Sequence, residues 1–262
     1  TDVATFNVSS GNVVTAAGNT LTARGSPRYA KTVPLWDGSS MLNHKAVEFR
    51  GASDVDGFQG STSLWNLDAS TTIVFAYRIA RPATAGRSFL RKRATQASAG
   101  YDINITVDIG YPTARVSDGT TTATVNGPGA LTGLDGPAGG AVVWAALQMD
   151  LTSGKARLYN FRDVGSDVTM PAGAKTNASP FNLGGWDSTM FDCEGMQLLW
   201  LGVLRGADAE AFTLTHLNAL DQVARPPALM SSYTRLSVVS PRVAYEPGFG
   251  VRVQHLAGST AT

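Results

Sequence analysis

Polar and apolar residues alternate with a period of two along most of this chain, as strands with one buried face require. In "TTIVFAYRIA" the alternation sets Ile73, Phe75, Tyr77 and Ile79 on one face. "YDINITVDIG" sets Ile103, Ile105, Val107 and Ile109 against Asp102, Asn104, Thr106 and Asp108, the cleanest antiparallel signal in the sequence. "ARVSDGTTTATV" predicts two strands around a turn at Asp118-Gly119, where glycine supplies a positive φ. "AVVWAALQMDLTSGKARLYNF" predicts another hairpin, turning at "DLTSGK". "MQLLWLGVLR" is apolar on both faces and predicts a central strand covered on both sides. In "AVEFRGASDVDGF" (46–58), Val47 and Phe49 alternate with Glu48 and Arg50 before the strand breaks into a Gly- and Asp-containing loop.

One segment departs from this period. "ADAEAFTLTHLNALDQVA" carries Phe212, Leu217, Leu220 and Val223 at helical spacing, with Asp208 as the expected N-cap, and "RPP" at 225–227 stops it. Beyond it, residues 228–262 hold short apolar stretches ("RLSVV", "RVAY", "GVRVQHL") broken by Pro and Gly. Many short strands separated by turn signals predict an all-β antiparallel sandwich. The expected organisation is a sandwich over 1–224 with one short helix near its end, then a strand-like extension over 225–262 that acts as an assembly arm.

Composition agrees with this reading. Charged residues make up 16% of the chain and glycine contributes 28 of its 262 residues, the balance of short strands and tight turns. A net charge of +1 gives no bulk attraction to nucleic acid or a membrane surface. The single cysteine, Cys193, excludes an intrachain disulfide framework and multi-cysteine metal sites, and reads as a small buried hydrophobe. No apolar run approaches the roughly 18 residues of a membrane span, and "TDVATFNVSS" shows no basic-then-apolar leader.

The order of these stretches resembles the laminin-G-like branch of the concanavalin A-like jelly rolls over about residues 46–223. Phe49, Gly51 and Asp54 match the family's opening F-D-G-x-x-D strand. Trp144, Gly154, Leu158 and Tyr159 match its Trp-led hairpin, and Phe191 and Gly195 match the strand before its closing helix. The resemblance implies a jelly-roll sandwich that binds glycans or partner proteins, in some members with calcium. Several family positions differ. Arg50 replaces an Asp or Asn, Cys193 a Gly, Leu199 and Trp200 fall where an Asp is common, and "YNFRD" lacks the usual Asn-Gly turn. Each change removes a polar turn or ligand position.

Glucanases built on this sandwich place E-x-D-x-x-E on one strand, because retaining glycosidases need two carboxyls about 5–5.5 Å apart. The chain has four glutamates, Glu48, Glu194, Glu210 and Glu246, and the residues two positions on are Arg50, Met196, Phe212 and Gly248. That arrangement is absent, as are G-x-S-x-G and H-E-x-x-H, and His44, His216 and His255 lie far apart in sequence. The Gly-rich "GPGALTGLDGPAGG" precedes a strand pattern, whereas a phosphate loop needs a helix N-terminus. No catalytic function is expected.

Three sets of residues remain as site candidates. Asp54 and Asp56, with Asp192 and Glu194, are the metal candidates, since two acidic loops at a sandwich edge supply the hard oxygens calcium prefers. The plainer reading is that these aspartates bond their own turns. Arg87, Arg91 and Arg93 would grip an anionic glycan or acidic partner surface, or else form a solvated, charge-guarded edge. Trp36, Trp65 and Trp186 lie beside turn residues and offer stacking faces for sugars or anchors for an interface, whereas Trp144 and Trp200 sit inside strands and read as core.

The sequence therefore points to a non-catalytic jelly-roll recognition or assembly module. One expectation is a structural surface protein of a bacteriophage-type virion (head decoration, spike or tail component) that partners itself or neighbouring structural proteins and contacts cell-surface polysaccharide. The other is a free-standing or secreted lectin-like carbohydrate-binding protein, extracellular, with calcium as its cofactor. No other cofactor is expected, and neither nucleic acid nor membrane insertion enters either expectation.

Overall fold

In the computed structural model the alternating stretches pair into two large antiparallel sheets whose apolar faces meet, an all-β jelly-roll sandwich. The structure describes residues 1–36, 41–49, 56–79, 87–95, 97–106, 111–128, 142–160, 163–184, 195–224, 244–246 and 250–252. The early strands are β1 (Asp2–Thr5), β2 (Val13–Val14), β3 (Thr20–Arg24), β4 (Arg28–Trp36), β5 (Met41–Glu48) and β6 (Gly57–Gln59). Then come β7 (Thr71–Ile79), β8 (Arg87–Lys92), β9 (Gly100–Thr106), β10 (Tyr111–Ser117) and β11 (Thr122–Asn126). The sandwich closes with β12 (Val143–Asp150), β13 (Lys155–Asn160), β14 (Val168–Thr169), β15 (Asn182–Gly184) and β16 (Met196–Arg205), then helices α1 (Ala207–Glu210) and α2 (Leu214–Ala224).

The first sheet runs β14-β13-β12-β7-β16-β5-β4, with β1 also paired to β16; the second runs β11-β10-β9-β8-β15-β6-β3-β2. Period two then decides what each sheet buries. Ile73, Phe75, Tyr77 and Ile79 all point into the shared core, as their spacing predicts, and meet Val143, Ala145, Leu147 and Met149 of β12 there. The second sheet supplies an inner row that stays in register across six strands: Ala23, Phe58, Leu183, Leu90, Ile103 and Ala114, with Val125 beyond. The Asp118-Gly119 turn forms as expected, with Gly119 at φ 90. The N–H groups of Thr121 and Thr120 hold the Asp118 carboxyl below the usual carboxylate range. The second hairpin turns through Gly154 at φ 65, with Asp150 accepting from the N–H groups of Thr152 and Ser153.

The single helix expected from spacing is two helices. Gly206, at φ 60, precedes α1, and Asp208 lies in the first turn of α1 and does not cap it. The break has a cause in the sheet below. Nε2 of Gln148 donates to the carbonyls of Ala209, Glu210 and Phe212 at 2.7, 3.2 and 3.2 Å, taking acceptors that a continuous helix would have used. α2 then restarts behind Thr213, whose N–H is accepted by Nδ1 of His216 at 3.1 Å, a capping-box contact made by an imidazole.

Residues Arg225–Thr262 form a second compact unit, whose described part is a hairpin of β17 (Ala244–Glu246) and β18 (Gly250–Arg252). Among the described residues no helix is long and apolar enough to cross a membrane.

Candidate binding groove and a buried polar row

The outer face of the first sheet is apolar in its middle, between a polar row of Arg78, Gln197, Glu48 and Arg28 and another of Thr72 and Gln148, which is unusual for a face turned from the core. Its character follows from three rows of paired residues. In the first row, Trp144 of β12 and Trp200 of β16 both lie opposite Ala76 of β7. The small alanine between them lets the two indoles meet, stacked with centroids 5.5 Å apart and planes 8° from parallel. The His44 ring lies 4.4 Å from that of Trp200. In the second row, Ala146 and Gly202 flank Val74, and Val3 of β1 lies beyond Gly202. In the third, Gln148 and Leu204 flank Thr72, where the α1–α2 turn sits.

A low row between two tall ones makes a groove. Its volume is about 840 Å³, with Val74 and Gly202 on the floor, the indoles on one wall, and Phe212, His216 and Leu220 on the other. Val3 and Leu220 are each 38% exposed, so apolar surface opens to solvent at both margins. Among the described residues Asp208 and His216 are the titratable side chains in its lining, and Thr1 also borders it.

A β-bulge places the tryptophan wall. Register between β16 and β7 slips between Leu198 and Trp200. Two consecutive residues, Leu199 and Trp200, therefore share the outer face while Leu198 and Leu201 both face the core. As the sequence predicts, β16 is a central strand, between β7 and β5, with its core face covered; on its outer face Gln197 and Leu199 are buried as well. The outer side of β16 is partly open, and the tryptophans read as core, Trp144 and Trp200, are the ones that line the groove.

The tryptophan chosen for exposure goes the other way. Trp65 is 6% exposed, stands edge-on to Phe181 with centroids 4.6 Å apart, and donates its indole N–H to Asp2 at 3.3 Å. It is a core residue because its loop folds under the sandwich, where its N–H finds a carboxylate. Trp36 ends β4 opposite Met41, with its side chain outside the described residues, and Trp186 lies outside them altogether.

The arginines are corrected in the same way. β8 is an interior strand between β15 and β9, so neither a free edge nor a solvated face exists there. Arg91 is 2% and Arg93 0% exposed, which removes both from reach of a partner in solution. Arg91 belongs to a polar row in register across the outer face of the second sheet, Thr22, Gln59, Asn182, Arg91, Asp102, Arg115 and Thr124, and Arg93, just past the end of β8, joins it through Asp102. Asp102, fully buried, bonds the guanidinium of Arg93, Nε of Arg115 at 3.2 Å and Nδ2 of Asn104 at 2.9 Å. Gln59 donates to Asn182 at 3.1 Å in the same row. Lys92, on the opposite face, is 1% exposed, donates to the carbonyls of Thr62 and Ser179, and is pushed down to about 8 by burial. The side chain of Arg87 lies outside the described residues.

Of the four acidic metal candidates, Asp54, Asp192 and Glu194 lie outside the described residues. Asp56 is fully buried and accepts the N–H of Ser26 at 2.6 Å. It pins the corner where Gly184 passes so close that a Cβ there would meet Phe49 at 2.6 Å. Among the described residues no three His, Cys, Asp or Glu side chains are grouped to hold a metal ion.

No protein-family model matches the chain, and no curated protein matches it by sequence. Solved structures do match in fold. The botulinum neurotoxin serotype D binding domain superposes with a TM-score of 0.54 at 8% identity, over 83% of this chain and 49% of that one. A structure of botulinum neurotoxin type C superposes at 0.50 with 12% identity, over 85% and 51%. This chain thus spans about half the length of those neighbours. A CBM40 module of the Ruminococcus gnavus IT-sialidase covers 67% of this chain and 95% of its own at 16% identity, with a TM-score of 0.46. At these identities the likeness is one of fold, a β-sandwich jelly roll.

Proposed function

We propose that this chain is a non-catalytic jelly-roll module for recognition and assembly, a structural protein at the surface of a bacteriophage-type virion. The observation that carries the binding part of this reading is the groove beside the Trp144–Trp200 pair, an apolar concavity of about 840 Å³ with few polar groups in its lining. Concave apolar surface edged by aromatic side chains is where partner proteins anchor. The buried carboxylates support the absence of catalysis. Asp56 holds a turn, Asp102 is tied to Arg93 and Arg115, and Glu48 is bonded to Arg28 and Gln197.

A lectin-like carbohydrate-binding protein is the second reading. It is favoured by the neurotoxin type C neighbour, whose cell entry depends on interaction with two ganglioside molecules, and by indole faces, which stack on sugar rings. Light scattering coupled to size-exclusion chromatography separates the two. The assembly reading expects a defined oligomer of the full chain that is the same with calcium or a chelator. A monomer that needs calcium for stability, and that binds on a glycan array, would sink it in favour of the lectin.

A further inference from the structure

The β4–β5 hairpin is joined to the first sheet by very little backbone. β5 shares two ladder pairs with β16, Val47 opposite Leu198 and Glu48 opposite Gln197. From Trp200 onward that edge of β16 belongs to β1, which pairs Thr5 with Trp200 and runs on to Asp2 opposite Val203, while β7 holds the other edge. The remainder of β5, with β4 paired to it, has no place in the plane of the sheet. Its side-chain contacts show where it goes. The His44 ring lies 4.4 Å from Trp200 on the outer face. Val33 and Ala46, both fully buried, belong to one apolar cluster with Ala76 and Leu199. Nη2 of Arg78, on β7, donates to the Thr32 carbonyl of β4 at 3.4 Å. In a flat sheet of order β7-β16-β5-β4 those two strands would stand three spacings apart, about 14 Å, beyond the reach of an arginine side chain. The hairpin therefore folds back over the outer face and covers an apolar patch centred on Ala76 and Leu199.

Its base is strained. Ala30 sits at φ 55, and the register of β4 on β5 slips between Arg28 and Lys31. A left-handed backbone at a residue with a Cβ costs free energy, and a strained hinge favours exchange of the element it carries. Below the hinge a bonded row stays with the sheet: Arg28 to Glu48 at 3.1 Å, Gln197 to Glu48 at 2.7 Å and Arg78 to Gln197 at 2.7 Å. A hairpin from a second copy would meet the same patch that the chain's own hairpin covers, so every side-chain contact is kept.

We propose that the β4–β5 hairpin is an exchange element, and that two copies of this chain associate by each laying its hairpin on the Ala76–Leu199 patch of the other. This rests on the assembly reading above and gives it a mechanism. Relief of the hinge at Ala30 favours the pair, and the freedom lost on association opposes it. The dimer forms at high protein concentration and forms slowly, because each hairpin must first leave its own patch.

A size-matched pair of variants tests this. Ala46→Leu enlarges the hairpin and Leu199→Ala shrinks the patch, so each chain is mismatched with itself. A mixture of the two can set a native hairpin on a native patch and the enlarged hairpin on the enlarged space. The full-length parent, concentrated, held just below its unfolding midpoint and cooled, is expected to yield a dimer by size-exclusion chromatography with light scattering that reverts slowly on dilution. The mixture should dimerise with a dissociation constant at least about tenfold below that of either variant alone. Ala30→Gly, at an exposed position, relieves the hinge and should weaken dimerisation of the parent by roughly fivefold or more. Glycine there leaves the apolar patch untouched, so this comparison stands even where a paired variant fails to fold. A dimer that neither the mixing nor Ala30→Gly alters overturns the exchange and leaves the assembly reading standing. A chain that stays monomeric at every concentration overturns both.

Discussion

Gln148 is the point where the sheet dictates the path of the helices, and Gln148→Leu measures how much stability rests on it. The side chain is 3% exposed, gives its amide hydrogens to the carbonyls of Ala209, Glu210 and Phe212, and accepts from the Tyr159 hydroxyl at 2.7 Å. Leucine keeps the volume and loses every one of these bonds. The Ala209 carbonyl retains the Thr72 hydroxyl at 2.9 Å, and Tyr159 retains a long contact to the Phe212 carbonyl at 3.5 Å. That leaves the equivalent of one to two buried polar groups without partners, at about 1–3 kcal/mol each, so the expected loss is about 3 kcal/mol. With a urea slope near 3 kcal/mol/M, the unfolding midpoint should fall by roughly 1 M. Amide hydrogen exchange should quicken across α2 before it does so in the inner strands, because the turn before α2 loses its anchor. Gln148→Glu, the same size, sets a carboxylate against three carbonyl oxygens and should cost more than leucine. A midpoint shift under about 0.2 M for Gln148→Leu, with α2 exchange unchanged, would refute the argument that the amide sets the break between the helices.

Further outcomes follow from the buried charges and the close approach in the second sheet. Asp102→Ala strands the buried guanidinium of Arg93 and should cost about 3–5 kcal/mol in urea unfolding, with Arg93→Met in the same chain recovering part of the loss. If Asp102→Ala alone is neutral, the polar row is not a stability element. Lys92 releases its proton at about 8 in the folded chain against 10.5 in the unfolded one, because burial disfavours the ammonium. The unfolded chain binds more protons across that window, so stability from this group rises as pH climbs from about 8 to about 10.5. Lys92→Met should flatten that rise when unfolding midpoints are compared at the two ends, and an unchanged slope would assign it to other groups. Gly184 sits at φ 77 with Phe49 and the Asp56 carbonyl in the way of any Cβ. Gly184→Ala is therefore expected to destabilise by about 1–3 kcal/mol, read as a lowered thermal midpoint, and a neutral result would mean that the corner yields.

Much of the sandwich was legible because period-two alternation is a local property. It put Ile73, Phe75, Tyr77 and Ile79 on one face and Ile103 opposite Asp102 in sign, and turn chemistry located Asp118-Gly119 and Gly154. Alternation states which residues share a face. It does not state what covers that face, and every site expectation that the structure revised turned on cover. The polar face of β8 was read as solvated or open to an anionic partner, yet Arg91 is buried in a row completed by Asp102, Arg115 and Asn182 from three other strands, and Arg93 is buried against Asp102. Trp65 was read from its neighbouring turn residues and is buried through Asp2 and Phe181, residues remote from it in sequence. Trp144 and Trp200 were read as core from their apolar strands. Their meeting over Ala76 depends on a bulge at Leu199 and on the order β12-β7-β16, neither of which a linear pattern contains. Helical spacing likewise found the segment from Ala207 to Ala224 but not its break, because the acceptors were taken by a glutamine about sixty residues earlier. The strands, their turns and the two faces of each are written in local pattern, since those follow from backbone geometry over a few residues. The groove, the buried polar row and the path of the helices were decided by tertiary structure, because each is built from side chains that only long-range pairing brings together.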